Sequence, residues 1–353
     1  MRDIGAQALM TQMDAIGDQL LQARQSREKP LRDEKIISAW NGMMISAFAE
    51  AGDALNKPEY VDAAVRAANF IWDNNGPQDG ELLRAFYDGS ASVESAQEDY
   101  AYLAESFLML YDVTGKSGWL TRAEALTNTM HEKFWDVDVG GYFLGTEKVG
   151  AVRPKDIYDS SIPTGNAVAM RVLTRLWHRT GKELHKLRAD ALLVSFSGYL
   201  EQYPSAFSYM LTGASELLLG EAAPRQYVAR GNVKVHAHAV GDELHIELDM
   251  APGWHVNANK PNQDYLIATQ LNRPDGNEIA DTRYPEVVTK KLGFQSGDEA
   301  LALYENKVLI TAPLSALMQA DDVLMSVSLQ LQACDDSVCL APEDVQLSAT
   351  VAN

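Results

Sequence analysis

Cysteine, basic residues and long apolar runs are all scarce in this sequence, and each shortage excludes a class of protein. Its 353 residues include two cysteines, Cys334 and Cys339, which are too few to stabilise so long a chain by a disulfide framework. No apolar run approaches the ~20 residues that a membrane-spanning helix needs. Residues 1–30 lack the apolar segment of a signal peptide. We therefore expect no membrane insertion, and the sequence as given carries no export signal.

Basic residues are outnumbered by acidic ones, 30 to 49, which gives a formal net charge of -19. The acidic excess is shared by both halves of the chain rather than confined to one tail. Such a surface repels phosphate backbones and anionic headgroups, so it argues against binding to nucleic acid or to a charged membrane surface. The simpler interpretation is that the charge keeps the protein soluble.

The spacing of apolar residues changes near residue 225. Before it, apolar residues recur every three or four positions, as in helices with one buried face. We predict an all-helical domain over residues 1–224 and an immunoglobulin-like β-sandwich over residues 225–353. In the second half, apolar and polar residues alternate as in half-buried strands, with apolar positions at Val323, Met325, Val327, Leu329, Leu331 and Ala333, then at Val345, Leu347, Ala349 and Val351.

Three segments of the helical half share one plan: an apolar helix that ends at glycine, a short linker and an alanine-rich second helix. The glycines are Gly52, Gly115 and Gly181, and glycine is the usual residue just after a helix because it takes the left-handed conformation without strain. We predict helical hairpins that stack on one another, with the N-termini of their first helices at one rim. In the first of these helices the spacing predicts a single buried face, formed by Ile36, Trp40, Met43, Met44, Ala47, Phe48 and Ala51.

Polar residues precede each first helix, and this rim is the predicted small-molecule site. Asp99 and Asp159 are candidate catalytic carboxylates, because glycoside hydrolysis needs two carboxyl groups facing each other across a bond. Carboxylates in a first helical turn also simply complement the helix dipole. Asn and Thr likewise cap helices, and a lone tryptophan at helical spacing is usually buried. The candidate substrate-binding residues are Trp40, Asn41, Tyr100, Thr164 and Asn166.

Three motifs in this half resemble a known family. They are "KPLRDEKIISAWNGMMI" (29–45), "EDYAYLAESFLMLYDVTG" (98–115) and "YDSSIPTGNAVAMRVLTRL" (158–176), and they are similar to those of the YyaL-like, spermatogenesis-associated thioredoxin-domain proteins. The resemblance implies the six-hairpin (α/α) toroid of glycosidases and sugar epimerases, with a thioredoxin-like domain ahead of it. The sequence contains roughly four hairpin equivalents, so we expect an incomplete toroid, truncated at its N-terminus, as the C-terminal part of a longer protein. An open arc leaves apolar faces uncovered, which favours a homo-oligomer.

The second half resembles the N-terminal domain of the thiol-disulfide carrier DsbD, through "GWHVNANKP" (253–261), "LYENKVLITAPL" (303–314) and "LQACDDSVCLAPEDVQL" (331–347). This resemblance implies that Cys334 and Cys339 form a redox pair whose partner is a thioredoxin-like protein or domain. It also implies an oxidising compartment such as the periplasm, with the cytoplasm as the alternative. In the carrier an aromatic-tipped loop shields the disulfide, whereas the corresponding segment here has only Phe294.

The cysteine pair allows a structural and a redox interpretation. A disulfide between the two residues is either a local staple of a hairpin loop or a bond that is exchanged with a partner. Asp335 and Asp336 lie beside Cys334, and their negative charge should raise the pKa of a nearby thiol because it disfavours the thiolate. The pair is therefore better suited to be attacked as a disulfide than to attack as a thiolate.

Three functions follow from these patterns: a thiol-disulfide relay module, a carbohydrate-active toroid acting on a small carbohydrate, and a non-catalytic interaction scaffold. Neither half shows a cofactor motif. No metal site is predicted, since His236 and His238 have no third ligand nearby in the sequence. The redox state of the cysteines tests the first function and sugar binding tests the second; failure of both leaves the third.

Overall fold

The computed structural model describes residues 5–76, 81–291, 300–317 and 324–350. The chain divides into two compact units, residues 1–35 and residues 36–353. The first unit contains a helix, α1 (Ala6–Gln25), whose apolar residues recur at helical spacing. Within the described ranges, no helix is long and apolar enough to cross a membrane.

The second unit begins with a series of helices: α2 (Ser38–Ala54), α3 (Pro58–Asn74), α4 (Gln97–Thr114), α5 (Ser117–Phe134), α6 (Gly165–Thr180), α7 (Glu183–Gln202) and α8 (Ser208–Leu219). The even-numbered helices form an inner layer in which each packs against the next, and α3, α5 and α7 pack outside them. The inner helices α4 and α6 are buried along most of their length. This alternation of inner and outer helices confirms the predicted incomplete (α/α) toroid.

The prediction that a glycine ends the first helix is correct for two of the three hairpins. Gly115 and Gly181 end α4 and α6 in the left-handed conformation, at φ 68° and 63°. Gly52 lies inside α2 instead, so this part of the prediction is wrong. Its role is close packing, because a Cβ at position 52 would lie 2.7 Å from the side chain of Val61 on α3. The left-handed residue between α2 and α3 is Asn56, at φ 51°.

The predicted buried face of α2 is also wrong. Trp40, Met44 and Phe48 are 59%, 54% and 36% exposed. The reason is the close approach of α4: a Cβ at Gly42 would lie 2.8 Å from the carbonyl carbon and oxygen of Tyr102. Small residues and Ile45 therefore lie on the buried side of α2, while Trp40, Met44 and Phe48 lie on the exposed side. The residues that α2 does bury are Ser38, Ala39, Gly42, Ile45, Ala49 and Gly52.

A small antiparallel sheet interrupts the helical region, which the sequence predicted to be all helical. It contains β1 (Ile36–Ile37), β2 (Leu83–Tyr87) and β3 (Ser90–Glu94), in the order β1-β2-β3. Asp88 and Gly89 connect β2 to β3 with positive φ angles of 50° and 79°. Asp-Gly is a strong hairpin signal for this reason, and it is the sequence feature that would have revealed the sheet.

The β-sandwich follows, with strands β4 (Arg225–Val228), β5 (Val233–Val240), β6 (Glu243–Met250), β7 (His255–Asn257), β8 (Gln270–Asn272), β9 (Val288–Lys290), β10 (Leu301–Glu305), β11 (Lys307–Pro313), β12 (Leu324–Leu331), β13 (Ala333–Cys334) and β14 (Glu343–Thr350). They pair antiparallel in the orders β13-β7-β10-β9, β11-β6-β5-β4 and β14-β12-β8. Alternate residues of all three sheets enclose one apolar core, as the period-2 pattern predicted. The prediction of a β-sandwich after the helices is confirmed.

Buried charges join the sandwich to the helices. Arg179 on α6 donates two hydrogen bonds to Asp112 on α4, at 2.8 and 2.6 Å, and reaches Glu221, just after α8, at 2.8 Å. The hydroxyl of Tyr227 on β4 donates to Asp112 at 3.0 Å, and its ring stacks on Tyr111 of α4. Tyr227 therefore belongs to the helical core although it lies on a strand of the sandwich.

Candidate functional site

The cysteine pair occupies a tight loop that begins at β13. Cys334 and Cys339 are joined by a disulfide. The Asp335 carboxylate accepts backbone hydrogen bonds from Ser337 and Val338, at 2.7 and 2.8 Å, which fold the loop back on itself. These bonds lower the pKa of Asp335, so its negative charge stays beside the disulfide. Cys334 is fully buried, whereas Cys339 is partly exposed.

The strands beside the loop surround Cys334 with polar residues. His255 on β7 lies directly opposite Cys334 on β13, and Glu305 on β10 lies opposite His255 on the other side. Lys290 on β9 binds Glu305 at 2.8 Å and lies 3.9 Å from Asp336. The disulfide therefore sits at the edge of a sheet that carries both signs of charge. Phe294, at the predicted shielding loop, lies outside the described residues.

The N-termini of α2, α4 and α6, the helices of the predicted rim, carry Trp40, Asp99 and Thr164. Asp99 is fully buried and joins two helices. Its oxygens accept from the backbone N–H of Ala39 on α2 and of Ala96 just before α4, both at 2.9 Å, and from Arg84 at 2.7 Å. Burial raises the pKa of Asp99 to about 6, outweighing the effects of the Arg84 charge and the backbone donors.

Asp159 joins the next pair of inner helices, α6 and α8, in the same way. Its carboxylate accepts from the backbone N–H of Thr164 before α6 and of Tyr209 on α8, each at 3.0 Å. Thr164 caps α6 in turn, because its hydroxyl accepts from the N–H of Ala167 at 3.1 Å. Both candidate carboxylates therefore bind the free N–H groups that begin neighbouring helices.

The amide and phenol candidates also have structural partners. Asn166 is buried and holds the loop before α6, with Oδ1 accepting from Tyr142 N–H at 2.7 Å and Nδ2 donating to the Tyr142 and Asp156 carbonyls. Asn41 donates to the carbonyl of Ile37 at 2.9 Å. The buried Tyr100 accepts from the N–H of Leu82 at 3.1 Å. Trp40 differs from these, because it presents most of its surface to solvent at the rim.

Sequence reasoning missed Asp156, which lies three residues before Asp159. Burial raises the pKa of Asp156, and the nearby Glu98 and Asp159 carboxylates raise it further. Arg84, which pairs with both Glu98 and Asp99, was also missed. It lies on β2, within the sheet that the apolar spacing did not predict.

A histidine cluster forms on the sandwich, away from the disulfide. His238 on β5 pairs in register with His245 on β6, so the structure supplies the third histidine that the sequence spacing left out. The rings of His236 and His238 stack with centroids 4.7 Å apart. Within the described part of the chain, however, no group of three His, Cys, Asp or Glu side chains has an arrangement that could hold a metal ion.

Comparison with known proteins finds a similarity in each half. Residues 225–350 match the family described as "Thiol:disulfide interchange protein DsbD, N-terminal". Human spermatogenesis-associated protein 20 is 32% identical over 224 residues, which are 60% of this chain and 28% of that protein. The mouse protein is 34% identical over 206 residues, 55% of this chain and 26% of that one. The chain thus spans less than a third of the length of these curated relatives.

Solved structures give weaker likenesses. The cellobiose 2-epimerase from Spirochaeta thermophila is similar with a TM-score of 0.43 and 13% identity, over 53% of this chain and 55% of that one. The Neisseria meningitidis DsbD N-terminal domain, in its reduced form, is similar with a TM-score of 0.26 and 13% identity, over 35% of this chain and 87% of that one. The protein therefore combines a helical region similar to spermatogenesis-associated protein 20 with a DsbD N-terminal domain at residues 225–350.

Proposed function

We propose that the β-sandwich is a thiol-disulfide exchange module, whose Cys334–Cys339 bond reacts with the dithiol of a thioredoxin-like protein or domain. The supporting observation is the unequal burial of the two cysteines within a domain that matches the disulfide-interchange family. A partner reaches Cys339 first, because Cys334 is fully buried. The sulfur of the partly exposed Cys339 is then the one attacked, and the sulfur of the buried Cys334 is the leaving group.

The exchange balances without a further reactant. A partner thiolate attacks Cys339 Sγ and forms a new S–S bond, and the electron pair of the Cys334–Cys339 bond leaves with the Cys334 sulfur. The partner's second thiol then displaces Cys339, so that the partner becomes a disulfide and this protein a dithiol. The same contacts serve the reverse reaction, in which the reduced protein reduces an oxidised partner.

A purely structural role explains the bond less well. The two cysteines are separated by 5 positions, and closing so short a loop removes only about 2 kcal/mol of chain entropy from the unfolded state. The loop is also held by the hydrogen bonds of Asp335 and by the bond from Leu340 N–H to the Ala333 carbonyl. The disulfide is therefore not needed to close it.

The test uses the whole oxidised chain and a reduced Cys-x-x-Cys thioredoxin, with thiols counted by alkylation and mass spectrometry. We expect both cysteines to become free. The two single-cysteine variants are then mixed with a single-cysteine thioredoxin that has been activated by thionitrobenzoate. In Cys334→Ser, the partly exposed Cys339 should form the mixed disulfide rapidly. In Cys339→Ser, the buried Cys334 should form it slowly. A bond that dithiothreitol reduces but thioredoxin does not would leave only the structural role.

A carbohydrate-binding function of the helical rim is our second proposal, with Asp99 and Asp159 as the carboxylates and Trp40, Asn41, Tyr100, Thr164 and Asn166 as binding residues. Two observations favour it. Trp40 offers an exposed indole at the rim, and burial together with the nearby Glu98 and Asp159 charges raises the pKa of Asp156, which is the direction of shift that an acid catalyst needs. The helix N–H groups that occupy Asp99 and Asp159 weigh against catalysis by these two.

A sugar screen tests the second proposal. Monosaccharides and disaccharides are titrated while intrinsic tryptophan fluorescence is followed, with Trp40→Ala as the variant that should lose binding and Trp119→Phe, in the core, as the control for other tryptophans. If no sugar changes the fluorescence of the wild type and the cysteines do not exchange, the scaffold function remains.

A further inference from the structure

We propose that His255 donates a hydrogen bond to the Cys334 sulfur when the disulfide opens, and so stabilises the buried thiolate that leaves. This inference rests on the proposed exchange at Cys339 and adds a residue to it. The step transfers no proton: the Cys334–Cys339 bond breaks, the partner sulfur bonds to Cys339, and the imidazole N–H binds the electron pair left on Cys334.

The first support is position. His255 on β7 and Cys334 on β13 are directly opposite each other in an antiparallel pair. The Cβ atoms of such partners lie roughly 4.5–5.5 Å apart on the same face of the sheet. Both residues are fully buried. An imidazole ring at this position is long enough to reach the neighbouring sulfur.

The second support is unused hydrogen-bonding capacity. Neither ring nitrogen of His255 bonds to any residue in the described part of the chain, although the ring is buried. Asn257, two residues along the same face of β7, leaves its Oδ1 equally unpartnered there. Buried polar atoms without partners cost folding free energy, so their retention calls for a functional explanation. The unpartnered ring of His255, directly opposite Cys334, is therefore a polar group available to the reduced state.

The third support is the charge that the reaction creates. Cys334 gains a negative charge in a site without exposure, where an unpaired ion is strongly disfavoured. The charges that face His255 are Lys290, Glu305, Asp335 and Asp336. Lys290 is already paired with Glu305, and the two aspartates repel a thiolate. Burial and the Lys290 charge lower the pKa of His255, so its ring is neutral at neutral pH and retains one N–H donor.

The test measures the pKa of the Cys334 thiol in a Cys339→Ser background, from the ultraviolet absorbance of the thiolate against pH. Replacing His255 with Phe removes the donor, and we expect this pKa to rise by about one unit, a tenfold loss of thiolate stability. His255→Gln keeps an N–H donor of similar reach and should restore most of the shift. His185→Phe is the matched control, because His185 is a buried histidine on α7 in the helical region.

A second measurement separates this inference from the proposed function. The full two-cysteine chain is equilibrated with glutathione buffers, which need no specific partner, at a pH above the measured pKa of the Cys334 thiol in both variants, where His255→Phe should shift the equilibrium about tenfold towards the disulfide. A thiol pKa and a glutathione equilibrium unchanged in both His255 variants would overturn the inference, even if thioredoxin reduces the protein. Shifts as expected in a chain that no thioredoxin reduces would keep the His255 role and reject the proposed partner.

Discussion

The acidic residues at the starts of the inner helices hold neighbouring helices together. Asp99 and Asp159 each accept N–H groups at the beginnings of two inner helices, so one carboxylate fixes one pair of neighbours. A motif that pairs an acidic residue with a helix start is therefore expected wherever hairpins of this kind stack. The family resemblance picked out Asp99 and Asp159, but it does not distinguish a carboxylate that joins helices from one that acts on a substrate.

We predict that Gly42 cannot be replaced, because of its close contact with α4 rather than because of its conformation within α2. A Cβ there would lie 2.8 Å from the backbone of Tyr102, so Gly42→Ala should destabilise the protein by about 1–3 kcal/mol, because α2 must move away from α4. Gly198→Ala in α7 is the control: no atom lies within 4 Å of the added carbon, and a gain of about 0.5–1 kcal/mol is expected. Urea unfolding measures both. Equal effects of the two substitutions would contradict the prediction.

The buried Asp99 predicts a specific pH dependence. Its pKa of about 6 in the folded state exceeds the ~3.9 of an unfolded chain, so the folded state binds the proton more tightly. Its stabilising effect is complete below pH ~4 and is lost as the pH rises to ~6, by about 3 kcal/mol in all. The free energy of unfolding of wild type minus that of Asp99→Asn should therefore fall across this window.

The control for this experiment is Asp62→Asn, which changes an exposed carboxylate on α3. Its difference from wild type should stay within ~0.5 kcal/mol, the usual range for an exposed substitution. If the Asp99→Asn difference does not change with pH, the Asp99 carboxyl group is ionised throughout, and Arg84 rather than burial sets its charge state.

Helices and strands could be predicted from the sequence where the signal lies within a short stretch of the chain. The starts of α4 at Gln97 and of α6 at Gly165 lie within two residues of Asp99 and Asn166, which the repeat identified. The strands around Cys334 also follow their alternating pattern. The exposed face of α2 was not predictable, because periodicity defines a face but not which neighbour covers it. The strands β1–β3 were too short for a clear pattern.

The helix-to-strand junction depends on Arg179, whose partners come from three elements. Asp112 and Glu221 both bind it, and its guanidinium lies 4.8 Å from the ring centroid of Tyr227. Although burial alone would raise the pKa of Glu221, the Arg179 and Arg175 charges hold it well below its usual range. Arg179→Met should cost about 3–5 kcal/mol, because the buried Glu221 and the mostly buried Asp112 each lose their closest arginine.

The matched control is Arg66→Met on the exposed side of α3, where we expect a change within ~0.5 kcal/mol. Thermal unfolding followed by circular dichroism compares the two variants. If Arg179→Met loses no more stability than Arg66→Met, the ion pairs of Arg179 do not stabilise the fold beyond the apolar packing around them. Because Arg179 connects helices with β4, we also expect helical and strand signals to melt together in the wild type.

At the scale of residues 36–353, helices and sandwich form one compact unit. Tyr227 is buried in the helical core, and Arg225 on β4 binds Asp53 on α2 through both carboxylate oxygens. The disulfide loop therefore belongs to a sandwich that is fixed to the helical region. In the exchange that we propose, a partner at Cys339 would meet a surface of defined orientation, which matters because exchange needs three sulfur atoms in line.

The uncovered face of α2 leads to the last prediction, that two copies of the protein associate through it. Trp40, Met44 and Phe48 are spaced four residues apart and exposed, which is the pattern of a helix face that packs on another helix. The net charge of -19 opposes association, so the dimer should strengthen as salt screens the repulsion. Met44→Glu should abolish it, whereas Val194→Glu, on an exposed part of α7, should not. Light scattering over a salt series measures both variants; a wild type that stays monomeric at high salt, or equal losses in the two variants, would reject this interface.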